Sequence, residues 1–441
     1  MQRSSQHPCA QTAPQQAGRR PHRWLRSFGL LLALGALLLS WSVPGGRAQP
    51  AREAVAPPAV PGEFLVRFHA DVSPAQRRRA LAALGGVPVD AIAALDIIVA
   101  RFPSAAPGAS AQADAAMLAR LRQHPLIDAA EPNYLVTIAQ TPTPAPGPLY
   151  LPLVMGPPAL VPNDPDQGRQ YAWSTLGAYQ GWYHNQGSPT VIIAVVDTGV
   201  QLDHPDLRDK LVSGYDLVDH DALPEDGHGH GTHVAGIAGA ITNNGLGVAG
   251  TCPACRLMPV RVLNNDGSGT LVEVADGILW AAEHGAQVIN LSLSGTSDSW
   301  VLQDALNRAW ERGALPVCAA GNDWQFGGAS VYPAKYSVCT AVAATDQADA
   351  IASFSNRGTW VELAAPGVAI YSTWIGSGYR TISGTSMATP HVAGVAGLLA
   401  AQGLNNQQIR ARLCATADTI SGTGTFWSCG RLNLLRAVGG P

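Results

Sequence analysis

Charge is scarce in this chain: only 13% of its 441 residues are charged and only 6% are aromatic, while 46% are hydrophobic. So little charge with so much apolar material excludes a globally disordered chain. No heptad run and no glycine period is present, which removes coiled-coil and collagen-like folds. The apolar stretch Phe28 to Trp41 is 14 residues long, short of the roughly 20 that a spanning helix needs. Excess positive charge is also missing where it would matter. Residues 1–162 carry 14 basic and 8 acidic groups and residues 163–441 carry 14 and 23, and the N-terminal excess sits wholly in Arg3, Arg19, Arg20, Arg23, Arg26 and Arg47. An acidic C-terminal part argues against nucleic acid or anionic membrane as a partner.

The length allows two to four domains, and 47 Gly and 33 Pro punctuate them. Arg19 to Arg26, the short apolar run and the small residues through Ala48 read as a secretory signal peptide, residues 1–48, so the mature protein is expected outside the cell with no membrane segment. Residues 49–138 read as a small α/β module. Phe64 to Phe68 is a strand, Ser73-Pro74 opens a helix that stops at Gly85-Gly86, Leu95 to Phe102 is a strand, Ala111 to His124 a helix and Tyr134 to Ile138 a strand. Eight prolines between Thr141 and Pro162 make residues 139–162 an extended linker and the expected region of processing.

From residue 163 to 441, apolar runs alternate with amphipathic ones. Val191 to Val196, Leu257 to Leu263, Gln287 to Leu293, Leu315 to Ala320 and Val338 to Ala343 read as buried strands; Leu271 to His284, Asp298 to Arg312 and Met387 to Gln402 read as helices. The fold class is α/β, a doubly wound and mainly parallel sheet whose active groups belong at the carboxyl ends of strands. Six cysteines follow the signal segment. Proximity in sequence favours Cys252 with Cys255, Cys414 with Cys429 and Cys318 with Cys339, among 15 possible connectivities.

Three segments put polar groups where packing is otherwise expected. Asp197 ends the strand Ile193-Ala-Val-Val-Asp197, where a buried carboxylate needs a partner. Asp226-Gly-His228-Gly-His230-Gly-Thr-His233 opens an apolar helix. It admits a base at one imidazole, a metal site, or plain capping and packing, but lacks the four-residue His spacing with an intervening Glu of a zinc helix. Ser386, in Gly384-Thr-Ser386-Met-Ala, is exposed at a helix mouth beside free amides. Each alone is as well explained by a cap or turn. Together they supply acid, base and nucleophile in the order Asp, His, Ser, which is neither the α/β-hydrolase nor the chymotrypsin order.

VVDTGV, HGTHVAG and GTSMATPHVAG resemble the three signature segments of the subtilase family, the subtilisin-like serine peptidases, and the similarity runs from Pro162 to about Leu435. The resemblance implies a serine endopeptidase acting through an acyl-enzyme, with Ser386 as nucleophile, His230 as base and then acid, Asp197 as orienting group and Asn322 as oxyanion-hole side chain. It further implies that protein or peptide substrates bind as an added strand between Ser292-Leu293-Ser294-Gly295 and Ala319 to Gly321, with Val331 lining the specificity pocket. In thermitase-like members calcium is structural. Asp164, Asp206 and Asn244 with the carbonyls of Ile241, Leu246 and Val248 match one site, and Asp216, Asp219, Asp221, the Leu223 carbonyl and Glu225 match a second. The N-terminal module, ending Glu131-Pro-Asn-Tyr134, resembles the ferredoxin-like inhibitory prodomains of the family, and a monomer is expected.

Overall fold

The computed structural model describes residues 57–102, 111–139, 141, 159–328 and 331–440, so the signal segment and most of the Pro-rich linker lie outside the described residues. The N-terminal module runs β1 (Ala59–Phe68), α1 (Pro74–Ala83), β2 (Val87–Ile92), β3 (Ile97–Arg101), α2 (Ala111–Arg122) and β4 (Ile127–Ile138). The strands form an antiparallel sheet ordered β4-β1-β3-β2, the ferredoxin-like arrangement. Ser73 caps α1 in a capping box with Gln76, with Pro74 as the first helical residue. Strand β2 escapes the sequence reading because it is short, mostly exposed and carries Pro88, all features of an edge strand without a buried face.

The two faces of this small sheet do different things. Phe64, Val66 and Phe68 pack with Leu81 and Leu121 of the module's own helices. Leu65, Ile97 and Val99 join a cluster containing Val272, Leu279, Val301 and Leu302 of two catalytic-domain helices, α6 (Leu271–Glu283) and α7 (Trp300–Glu311). Alternation along β1 thus lets one strand serve two cores. The short helices α3 (Ala172–Leu176), α4 (Ala178–His184) and α5 (His230–Gly239) precede α6 in the chain.

The main sheet has eight strands: β5 (Ile192–Asp197), β6 (Tyr215–Asp216), β7 (Arg256–Arg261), β9 (Val288–Leu291), β11 (Leu315–Ala319), β12 (Thr340–Thr345), β13 (Leu363–Pro366) and β16 (Gly430–Arg431). They pair in parallel in the order β16-β13-β12-β11-β9-β5-β7-β6. Two short segments, β8 (Ser268–Thr270) and β10 (Leu293–Ser294), pair with β4, and β14 (Ile370–Trp374) with β15 (Gly378–Ile382) forms a hairpin. Strand β5 is central: Ile193 registers with Leu257 of β7 on one side and with Val288 of β9 on the other. The chain winds outward first on one flank of β5 and then on the other, so a crevice opens at the carboxyl end of this strand.

Helix α8 (Thr385–Ala401) crosses the sheet, its residues Thr385 to Leu399 all buried. It is followed by α9 (Asn406–Ala415) and α10 (Leu434–Ala437). Pro390 lies inside α8 and has no N–H to offer the Ser386 carbonyl, which instead accepts from the Ser292 hydroxyl at 2.9 Å. Cys252–Cys255 and Cys414–Cys429 are disulfides, whereas Cys318 and Cys339 are both free and buried, which corrects the third expected bridge. Those two thiols face each other through a side-chain hydrogen bond, and burial pushes the Cys318 thiol up, keeping it protonated.

Candidate active site

Asp197 is the last residue of β5 and is fully buried. Its Oδ1 accepts from His230 Nδ1 at 2.7 Å and from the Thr198 N–H at 2.7 Å. His230 is the first residue of α5, behind Gly229 in a left-handed conformation (φ +103°) against the Trp374 ring. Gly231 permits the close approach, since a Cβ there would lie 2.1 Å from the Gly199 carbonyl oxygen. The loop is set by Asp226, whose carboxylate accepts from Thr198 Oγ1, the N–H groups of His228, Gly229 and Thr232, and Thr232 Oγ1, at 2.7 to 2.9 Å. The sequence reading assigned this residue no role. An acid before glycine looks like any loop acid until the fold surrounds it with donors.

The three histidines do not converge. His230 Nδ1 is committed to Asp197, His233 Nε2 contacts the Arg380 carbonyl at 3.0 Å, and His228 Nδ1 accepts from the His230 N–H at 3.3 Å. Burial drives His233 down to about 3, so it stays neutral, and burial followed by repulsion from His230 lowers His228.

Ser386 is the second residue of α8, which packs on α5. Its Oγ lies 2.5 Å from the Ala139 carbonyl oxygen and 2.9 Å from that of Ser292, and its N–H donates to Ala139 O at 3.3 Å. With Ala139 in place the serine hydroxyl is not bonded to the imidazole: His230 Nε2 is buried without a partner. Asn322 Nδ2 is likewise buried and unpartnered, while Asn322 Oδ1 accepts from Thr385 N–H and Thr385 Oγ1, both at 3.0 Å, which fixes the amide's orientation. A buried acceptor on the imidazole and a buried donor on the amide are what an attacked carbonyl needs on its two sides.

Ala139 directly follows the N-terminal module's own last strand, β4. The tail of β4 lies between two antiparallel partners, β10, where Ile138 registers with Leu293 and Thr137 with Ser294, and β8, where Leu135 registers with Thr270 and Thr137 with Ser268. Ile138 N–H donates to Gly267 O at 3.0 Å and Ala139 N–H to Ser292 O at 3.3 Å. The segment that flanks β4 opposite β10 is Gly267 to Thr270, and the partners of β4 do not include Ala319 to Gly321. Ala319 belongs to β11 and pairs inside the main sheet, with Val342 of β12. Segment 267–270 is glycine-rich and nearly featureless in sequence. Gly295 continues β10 by a bridge to Tyr332, and Val331, buried, lines the cavity beside Ala139.

The two expected cation sites differ. Asp206 is wholly buried and Asp164 nearly so. Among the described residues their oxygens accept from neutral donors, with Asn243 N–H and Asn244 N–H on Asp164, and Asn244 Nδ2, Val248 N–H and Tyr379 hydroxyl on Asp206. Burial, with repulsion from Asp164 adding to it, pushes Asp206 up to about 6. Two buried carboxylates without a cationic side chain in ion-pair contact among the described residues fit a hard cation, although Asn244 turns its Nδ2 and not its oxygen toward Asp206. The second set does not fit. Arg261 Nη1 already lies 2.6 Å from Asp216 and 2.5 Å from Asp219, Asp221 accepts from Leu223 N–H and Glu225 from Leu202 N–H.

A serine at a helix mouth, an imidazole held by a buried acid and a peptide-binding groove of paired strands define a serine-type peptidase. Residues 188–434 match the model of the subtilase family. The chain is similar to thermitase of Thermoactinomyces vulgaris, 55% identical over 278 residues that cover 63% of this chain and 99% of thermitase. It is also similar to the thermophilic serine proteinase of Bacillus sp. strain AK1, 44% identical over 86% of this chain and 88% of the relative. Among solved structures it resembles fervidolysin from Fervidobacterium pennivorans, a keratinolytic enzyme related to subtilisin, with a TM-score of 0.75, 28% identity and coverage of 87% of this chain and 61% of that one. The chain belongs to the subtilase family and is a subtilisin-like serine endopeptidase.

Proposed function

We propose that this endopeptidase is a secreted, calcium-stabilised enzyme made as a self-inhibited precursor, and that it cuts its own chain after Ala139. The observation that carries the reading is the Ala139 carbonyl, held by both the hydroxyl and the N–H of Ser386 at the end of a strand paired on both sides. In this reading the module of residues 49–138 is the inhibitor, because its last strand fills the groove that a substrate would enter. Secretion is supported by the basic and apolar leader and by the two disulfides.

Ser386 Oγ attacks the Ala139 carbonyl carbon and passes its proton to His230 Nε2, the one imidazole nitrogen left free by Asp197. Asp197, bound at Nδ1, stabilises the resulting cation. The carbonyl oxygen becomes an oxyanion facing the Ser386 N–H, with Asn322 Nδ2 as the second donor. The C–N bond then breaks, His230 returns the proton to the amine of Gln140, and water attacks the acyl-enzyme by the same steps in reverse roles. Substrate polypeptides follow the same course after the module leaves. Calcium at Asp164 and Asp206, with Asn244 and the carbonyls of Ile241, Leu246 and Val248, would neutralise the buried carboxylates and tie the loop at residues 241–248 to the N-terminal segment of the domain at Asp164.

Replacing Ser386 by Ala tests the catalytic reading. Casein hydrolysis and labelling by a fluorophosphonate should both disappear while the circular dichroism spectrum is kept. Labelling that persists in the variant removes Ser386 from the nucleophile role.

A further inference from the structure

One residue beyond Asn322 and Asp323, the chain makes a single 3-10 turn, Trp324–Phe326, whose rings stand out of the surface. Phe326 is 81% exposed and Trp324 42%. The base of the turn is fixed. Phe326 N–H donates to Asp323 O at 2.9 Å and Trp324 N–H to Phe354 O at 3.2 Å, the Asp323 carboxylate accepts from Asn356 Nδ2, and Arg357 stacks on the Trp324 ring at 4.5 Å. A large apolar ring held in water by a braced turn is a contact surface in search of a partner.

Phe326 lines two cavities at once. One, of about 320 Å³, lies beside Ala139 and includes Ile138, Gly295, Asn322 and Val331. The other, of about 610 Å³, includes Thr141, Asn322, Asp346, Ile351, Phe354 and Val368. The chain's own segment indexes both. Ala139 presents its carbonyl to Ser386, and Thr141, two residues on, bridges to Ser383 with its N–H donating to Ser383 O at 3.0 Å. Given the reading of Ser386 as nucleophile, on which this indexing rests, the first cavity takes the residue before the cut bond and the second takes the second residue after it.

The structure assigns Phe326 the role of a shared wall that makes these two specificities interdependent, both favouring large apolar side chains. A ring that turns to cover a bulky residue in one cavity withdraws cover from the other. Two favourable residues together therefore gain less than the product of their separate gains.

The test is a four-peptide cycle of quenched fluorescent substrates, with Ala or Phe before the bond and Ala or Leu at the second position after it. Mass spectrometry of the products verifies the cut position, and kcat/KM is measured with the mature enzyme. Each single replacement is expected to raise kcat/KM roughly tenfold. The doubly replaced peptide should fall about three- to tenfold short of the product of the two gains, and in Phe326→Ala the gains should multiply to within about twofold. Phe326→Leu, which keeps an apolar side chain on the same turn, should lie between. Multiplicative behaviour in the wild type, or an undiminished shortfall in a folded Phe326→Ala, overturns the proposal. Failure of the catalytic reading shows separately, as turnover of these peptides by Ser386→Ala.

Discussion

Asn322 shows how a residue is made specific by what surrounds it. Its Oδ1 is occupied by Thr385 twice over, so the only free edge of the amide is the Nδ2 donor. Asn322→Ala is expected to lower kcat by about 10² to 10³ with little change in KM, the magnitude measured for subtilisin when this donor is lost. Steady-state kinetics on a peptide substrate checks this, and a rise in KM at constant kcat would assign the side chain to ground-state binding instead. Asp197, His230 and Ser386 stand out in the sequence because each sits in a segment whose polar residue breaks an apolar pattern, whereas Asn322 is marked only by the resemblance to the subtilase segments. Asp226 does not stand out, since its five hydrogen bonds come from residues as far back as Thr198 and exist only in the fold.

Helix ends decide how the N-terminal module holds on. Glu131 accepts from Ser299 Oγ at 2.6 Å and from the Trp300 and Val301 N–H groups at 3.3 Å, so it covers the start of α7. Asn133 Oδ1 accepts from Val272 N–H at the start of α6. Burial pushes Glu131 up to about 7 from an ordinary carboxylate value. A group raised on docking favours the docked state at low pH, and that contribution is lost as pH rises through about 7. After self-cleavage the module should leave faster at pH 8.5 than at pH 5.5, read as the rate at which peptidase activity appears, and Glu131→Gln should flatten the dependence. Equal rates at both pH values in the wild type would contradict this. In sequence the Glu131-Pro-Asn-Tyr134 motif marked the module's resemblance but gave no hint of capping, because the helices it covers begin about 140 and 170 residues later. Buried strands β5, β7, β9, β11 and β12 were legible as continuous apolar runs. Strand β13 was not, being four residues, Leu363–Pro366, that end in a proline, and neither was the β14–β15 hairpin, which is short and mixed in polarity.

Across the whole molecule, one sheet positions everything: β5 delivers Asp197, the segment after β9 delivers Ser292 to Ser294, and the crossing helix α8 delivers Ser386. Cation dependence belongs to this scale. One calcium ion per chain is expected, since Arg261 already neutralises Asp216 and Asp219. Chelation should lower Tm reversibly, and calorimetric titration should give one tight site; two tight sites would mean that Arg261 yields its place. The prodomain-like module and the enzyme share an apolar cluster and a continuous strand pairing, which sequence patterning of the two parts separately does not contain.

The most direct measurement is the N-terminal sequence of the enzyme released from the wild-type precursor, set beside the same analysis of Ser386→Ala. The wild type should begin at Gln140, at least transiently before any further trimming of the Pro-rich segment, and the variant should remain uncut. A first cut at another bond, or cleavage after Ala139 in Ser386→Ala purified free of other peptidases, would contradict the account.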